Sequence, residues 1–380
     1  MLYKNANLFL GERGFVHGSF RVEGNRFTQI LEGDTDKAGT DLKGAYVIPG
    51  LVDIHTHGCL GHDFSDGDGA GLREMGRYYA AHGITTFAPT SMTLPYDTLA
   101  AAFQTAVEYR AHPIPDGARI GGIHMEGPYF SEKRKGAQNA AYLKEPDFEG
   151  FRTLYEGCGG LVRIIDVAAE LPGAVEFARR VAELCAVSIA HTDASYDEAA
   201  AVFDAGATHL THLYNAMPPL LHRAPGPIGA ASERESVTAE LICDGLHVHP
   251  GAVRAAFKLF PGRLCLISDS LRCCGMPDGA YELGGQQVFL KGGVARLEDG
   301  TIAGAATNLY DGMRNAIQFG ISRETAILSA TTLPARELGN REIGAIAAGR
   351  YADFVVCDEG LNRKAVYLGG TCIISEAEDK

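Results

Sequence analysis

The chain has 380 residues, an apolar fraction of 46% and a formal net charge of −13. That length fits one large α/β barrel with an appendage, and the sequence holds no run of about 18 apolar residues that would predict a membrane span. The negative balance argues against nucleic acid or an anionic membrane as a partner, although a few local cations could still hold a small anionic substrate.

The first stretch, MLYKNANLFLGERG, lacks the long apolar core of a signal peptide. Residues 7–10, 15–22 and 27–31 read as short strands separated by turn clusters such as Glu23-Gly24-Asn25. At 46–58 the chain reads YVIPGLVDIHTHG. Here an apolar strand, 51–54, runs into His55 and His57. Residues i and i+2 of an extended chain face one side, so both rings can reach one ion. An amphipathic helix over 71–82, stopped by Gly83, precedes a second strand (84–89) and a helix (97–110). A third strand, 120–125, delivers Glu126 ahead of Gly127-Pro128. A fourth strand (161–168) and a helix (173–185) lead to AHTDASYDEAAAVFDAGATHLTHLYNAM, residues 190–217.

In that stretch two apolar runs, 187–190 and 208–210, are followed by His191 and His212, and the Ala-rich segment 196–205 between them has helical spacing. A right-handed crossover sets two such strands parallel and puts both imidazoles at the same end of a sheet. Neutral imidazole is the commonest protein metal ligand, so the pair points to a metal site. The seventh strand, 237–243, ends at Asp244-Gly245 with His247 just beyond. After a helix over 250–259, the eighth strand, 264–268, ends on Asp269.

Eight strands alternating with helices predict a TIM-like (β/α)8 barrel over residues 49–340. In such barrels the chemistry sits at the carboxyl ends of the strands. Here those ends carry His55, His57, Glu126, His191, His212, His247 and Asp269. Residues 279–303 read as two or three strands with Gly-rich turns, and helices follow over 309–319, 323–331 and 332–338. Short strands return from Ile343 to Cys357, with another over 366–374. These should pair with the N-terminal strands, making a small β-sandwich domain from 1–48 and 341–380, with the barrel inserted between.

Nine cysteines with no C-x-x-C and no regular spacing predict reduced thiols and a cytoplasmic protein. Cys59, Cys273 and Cys274 read as loop thiols. Lys133, Arg134 and Lys135 form a cationic run that either steers an anion or is a solvated loop. His209 lies three residues before His212 on a strand and should face away from the site.

Several stretches resemble the amidohydrolase superfamily and, within it, the N-acetylglucosamine-6-phosphate deacetylase family. They are PGLVDIHTHG from Pro49, HMEGPYFSEKRKGAQN from His124, HLYNAMPPLLHRAPG from His212, DGLHVHP from Asp244, ISDSLRCCGMPDG from Ile267 and GRYADFVV from Gly349. The resemblance implies hydrolysis of the acetamide of N-acetyl-D-glucosamine 6-phosphate to D-glucosamine 6-phosphate and acetate. It implies one or two divalent metal ions per subunit, with zinc, iron, manganese and cobalt all suited to histidine and carboxylate. By position it makes Glu126, His191 and His212 the principal metal ligands and His55 and His57 the ligands of a second ion. Asp269 becomes the acid/base acting on metal-activated water. Asn215, Ala216 and His247 fall on the sugar phosphate. Arg223 falls on the phosphate of the neighbouring subunit in a homodimer. Gln138 falls next to the acetyl group, where many members have histidine.

Overall fold

The structure is a computed structural model, and it describes residues 1–375. Its centre is a ring of parallel strands, hydrogen-bonded in chain order: Leu51–Thr56, Ile84–Ser91, Ile123–Met125, Val162–Val167, Ala186–Ile189, His209–Leu210, Thr238–Ile242 and Leu264–Ile267. The first two are buried along their whole length, as strands covered on both faces must be. The ring closes between the first and eighth strands. Asp269 N–H donates to the His55 carbonyl at 2.9 Å, and the N–H groups of His57 and Gly58 each donate to the Ser270 carbonyl at 2.9 Å. Asp53 sits in that seam and accepts the N–H groups of His55 and Ser268, both at 3.3 Å. Burial pushes its carboxyl up to about 7.

Helices alternate with these strands. Tyr196–Asp204 shows the local logic: Ser195 accepts the Glu198 N–H while the Glu198 side chain accepts the Ser195 N–H, a capping box written in the sequence as S-x-x-E. Phe148–Gly157 and Gly226–Ser232 are helices missing from the sequence reading, although Phe148, Phe151, Leu154 and Tyr155 do give the first a helical apolar face. The first buries only Phe151 and Leu154, and the second has just seven residues, two of them glycine. The strand expected over 120–125 is instead two pieces, Arg119–Ile120 and Ile123–Met125. Gly121 N–H bonds to the Phe87 carbonyl and Ile123 N–H to the Leu161 carbonyl, each at 2.9 Å, so across the Gly121-Gly122 pair the chain keeps Ile84–Ser91 as a neighbour and gains Val162–Val167 as a second. A Cβ on Gly121 would lie 2.6 Å from Leu338 Cδ1, which is why the break falls on glycine.

Both chain ends contribute to a second, seven-stranded sheet. Its order is Thr371–Ser375, Arg363–Leu368, Phe354–Cys357, Thr40–Pro49, Leu2–Phe9, Phe15–Glu23 and Arg26–Glu32. The edge strand Arg26–Glu32 comes round to the segment 349–352, with Phe27 N–H on the Arg350 carbonyl at 3.0 Å. Aromatic rings fill the space inside: Phe20 lies 5.0 Å from both Tyr3 and Phe354, centroid to centroid. The strand expected over 366–374 is a hairpin, because Gly369 and Gly370 adopt φ of 54° and 78° and turn the chain. Of the residues from Ile343 to Cys357, Phe354–Cys357 is the regular strand.

Three antiparallel strands, Gly279–Leu283, Gln286–Lys291 and Val294–Leu297, follow the eighth barrel strand. Their alternate apolar residues, among them Leu283, Val288 and Leu290, pack on Met92, Leu271 and Cys273. Among the described residues, no helix is long and apolar enough to cross a membrane.

Candidate active site

The carboxyl ends of the barrel strands surround a cavity of about 320 Å³. His57, Glu126, Gln138, His191, His212, Asn215, Ala216, His247 and Asp269 line it, with Met92, Leu271, Leu283 and Ile302 as an apolar wall. A larger cavity of about 760 Å³ lies between the terminal sheet and the barrel, lined by residues such as Phe9, Ile30, Phe257 and Leu328. We place the chemistry in the smaller cavity because ligand-competent side chains converge there.

Glu126 stands at the middle of that convergence. Its Oε1 is 3.1 Å from His191 Nε2 and 3.2 Å from His212 Nε2, and these two nitrogens are 3.1 Å apart. Its Oε2 is 3.4 Å from His57 Nε2, while Oε1 is 3.6 Å from His55 Nε2. Asp269 Oδ1 closes the other side, 3.3 Å from His57 Nε2 and 3.6 Å from His55 Nε2. All these side chains are buried.

His55, His57 and His191 each direct Nδ1–H at an oxygen, that of Glu240, of the Thr90 carbonyl and of the Arg134 carbonyl, at 2.9, 3.1 and 2.8 Å, so in the neutral rings the Nε2 atoms turn bare lone pairs toward one another and toward Glu126. Lone pairs gathered round a cation satisfy every one of them. Two triads, Glu126–His191–His212 and His55–His57–Glu126, each have all their ligand atoms within 4.8 Å of one another. The residues therefore fit a divalent cation.

Electrostatics point the same way. Burial disfavours a charge on His57 and His212, but hydrogen bonds and charge from Asp269 and Glu126 prevail and push both up to about 9. Burial would raise Glu126 and Asp269, yet the surrounding imidazoles hold both carboxyls below the usual carboxylate range.

The backbone is strained where these side chains emerge. His191, His212, Tyr214, Ala216 and Asp269 have φ of 43°, 29°, 78°, 52° and 49°. They are five of the nine described non-glycine residues with positive φ, a conformation that costs roughly 1–3 kcal/mol each and clusters at functional sites. Gly127, with φ of 98°, makes the corresponding turn after Glu126, where a Cβ would lie 2.2 Å from Thr93 Oγ1.

The substrate-facing candidates are held by named partners. Gln138 Oε1 accepts the Thr93 N–H at 2.8 Å, which turns Nε2 toward Glu126 Oε2 at 2.6 Å. His247 Nδ1–H donates to Asp244 Oδ2 at 2.6 Å, leaving Nε2 as its free nitrogen. Asn215 Nδ2 donates to the His212 and Leu213 carbonyls at 3.2 and 3.3 Å. Residues 211–216 form a turn and not the start of a helix, so no helix N-terminus supports Asn215 and Ala216.

Two predicted site residues do not line the pocket: His55, buried behind His57 and Glu126, and Arg223, which lies away from the pocket of its own chain. Arg223 is exposed, with Nη1 2.7 Å from His222 Nε2. Lys133 and Arg134 line the pocket, but both pair with Asp193, at 3.1 and 2.9 Å. His209 faces the barrel interior beneath the ligands, between Glu240 and Glu337.

A buried polar layer under the site, His124, Asp166, Glu240 and Asp53, is missing from the sequence reading. One signal was present: Thr238–Ile242 reads TAELI, with a carboxylate in mid-strand.

Residues 46–375 match the amidohydrolase family. N-acetylglucosamine-6-phosphate deacetylase from Bacillus subtilis (strain 168) is 38% identical over 318 residues, 82% of this chain and 80% of that protein. N-acetylgalactosamine-6-phosphate deacetylase from Escherichia coli O157:H7 is 33% identical, covering 87% of this chain and 88% of that protein. Among solved structures, a mutant N-acetyl-D-glucosamine-6-phosphate deacetylase from Mycobacterium smegmatis, in complex with N-acetyl-D-glucosamine-6-phosphate, superposes with a TM-score of 0.93 at 33% identity. That match covers 99% of each chain.

Proposed function

The chain belongs to the amidohydrolase family, and from that premise we propose that it hydrolyses the acetamide of N-acetyl-D-glucosamine 6-phosphate, releasing acetate and D-glucosamine 6-phosphate. The observation that carries this reading is the buried Glu126–His191–His212 triad beside Asp269 at the carboxyl end of the barrel. Glu126, His191 and His212 would hold a divalent cation, which when bound would supply Lewis acidity for the amide carbonyl and for water near neutral pH.

The protein's own residues do the rest. Asp269, kept below the usual carboxylate range, is ionised at neutral pH and accepts a proton from the attacking water. It then gives that proton to the amide nitrogen, so the sugar leaves as an amine and not as an anion. Gln138, fixed by the Thr93 N–H, has a second Nε2 proton for the acetyl oxygen. Met92, Leu271, Leu283 and Ile302 shield the methyl side from water. His247, Asn215 and Ala216 face the sugar phosphate. Arg223 reaches that phosphate from the partner subunit of a homodimer; the exposed Leu220 and Leu221 beside it supply apolar surface for such an interface. The nine free thiols support a cytoplasmic setting.

The test is a product assay with N-acetyl-D-glucosamine 6-phosphate, its galacto epimer and unphosphorylated N-acetyl-D-glucosamine. Acetate and D-glucosamine 6-phosphate should form in equal amounts. Faster turnover of the galacto epimer, the sugar in the name of the Escherichia coli relative, would reassign the substrate. Equal rates with and without the phosphate would remove the phosphate from the account.

The triads Glu126–His191–His212 and His55–His57–Glu126 would hold two ions of zinc, iron, manganese or cobalt, with Glu126 a member of both. Protein loaded with excess metal and freed of loose ions should hold about two equivalents, falling to about one in the His55→Asn, His57→Asn double variant. A ratio of one in the unaltered protein rules out the pair. Protons compete for the same lone pairs. His57 and His212 hold theirs up to about 9 in the cation-free site, so cation affinity should weaken as pH falls below that value. Calorimetry at neutral pH in buffers of different ionisation enthalpy should detect proton release on binding, and its absence would contradict this ordering.

A further inference from the structure

We propose that Glu240 is a positioning residue that fixes ligands of both cation sites, through the ring of His55 and the backbone of His212. The proposal rests on the functional reading above. Glu240 is fully buried in the middle of Thr238–Ile242, in an interior that branched apolar side chains ordinarily fill. An unpaired carboxylate there would be strongly destabilising, and Glu240 is far from unpaired. Its Oε2 accepts the Nδ1–H of His55 at 2.9 Å and the backbone N–H of His212 at 3.1 Å. Its Oε1 lies 3.2 Å from His209 Nε2, and His209 Nδ1 lies 3.2 Å from Glu337 Oε2. Both His209 contacts are close ion pairs without the alignment of hydrogen bonds. Carboxylate and imidazole thus alternate from His55 down the barrel to Glu337, which also accepts the Thr238 Oγ1–H at 2.8 Å.

The consequence is geometric. A neutral imidazole has one bare nitrogen for a cation. With Nδ1–H donated to Glu240, the bare nitrogen of His55 is Nε2, the one facing His57, Glu126 and Asp269. A carboxylate on the far nitrogen of a ligating histidine sets its tautomer and ring angle. The same oxygen holds the His212 N–H at the point where φ is 29°, the turn that carries that side chain into the cluster. His124, also near Glu240, is no substitute ligand, because its Nδ1 and Nε2 are engaged by the Ile54 carbonyl and Asp166, each at 3.0 Å.

Calorimetric titration of the metal-stripped full-length protein with Co²⁺ tests this. Glu240→Gln, close in shape, should weaken the equivalent held by His55 and His57 by about 10–100-fold, with the other equivalent changing less. Glu240→Asp, which keeps the charge but shortens its reach, is the second probe should the glutamine variant not fold. In a His55→Asn background the Glu240 substitution should no longer affect that equivalent, closing a double-mutant cycle. Unchanged affinities, equal losses with and without His55, or a single equivalent in the unaltered protein would each overturn the proposal. Two equivalents that respond to Glu240 in a protein without deacetylase turnover would leave the proposal standing and overturn the functional reading instead.

Discussion

Asp269→Asn is expected to lower kcat by at least about 10²-fold, the usual scale for losing a general acid–base group, while metal content stays unchanged. The expectation follows from position and charge. Asp269 ends the eighth barrel strand in a left-handed turn and lines the pocket. It is held ionised by His55 and His57 despite its burial, and asparagine keeps the shape but can neither accept nor return a proton. KM for the phosphorylated sugar should move little, because no part of the proposed phosphate contact runs through this residue. Turnover within a few-fold of the unaltered protein, with metal content confirmed, would take the acid–base role away from Asp269.

Arg223→Ala is expected to raise KM for the phosphorylated sugar by about 10–100-fold, the worth of one charged hydrogen bond of roughly 1.5–3 kcal/mol. An unphosphorylated analogue should barely respond. Because Arg223 is exposed on its own chain and lies outside that chain's pocket, the effect should act across subunits. In a heterodimer of Arg223→Ala and Asp269→Asn chains, one site combines an intact Asp269 with the neighbour's intact Arg223. Activity should therefore recover on mixing once subunit exchange is demonstrated. Proven exchange without recovery would place the phosphate donor within the same chain.

The barrel and its candidate site residues were legible because parallel strands put their last residues at one end, and those residues sit at readable positions: Glu126 after IHM, His191 after Ala190, Asp269 after Ser268. The second layer was not. Glu240 and His209 lie on short strands whose two faces look alike in sequence, and alternation cannot tell the barrel interior from the helix-packed side. The expectation that His209 faces away from the site does not hold, because its ring lies in the barrel interior between Glu240 and Glu337, a place that depends on residues far apart in the chain. The break at Gly121-Gly122 and the hairpin at Gly369-Gly370 escaped for a related reason. Glycine permits both a straight strand and a turn, and the neighbouring strands decide which forms. Arg223 stands at the outer limit of such reading, since its proposed partner is another copy of the chain.

The central claim is that amide hydrolysis depends on a cation at the Glu126–His191–His212 cluster. It is tested most directly by measuring turnover of N-acetyl-D-glucosamine 6-phosphate against bound divalent metal, starting from protein stripped by a chelator. Turnover should be negligible in the stripped protein, rise in step with occupancy and level off once the site is filled, and in Glu126→Ala it should stay negligible at every metal concentration. Full turnover by the stripped protein, or by Glu126→Ala, would contradict the account.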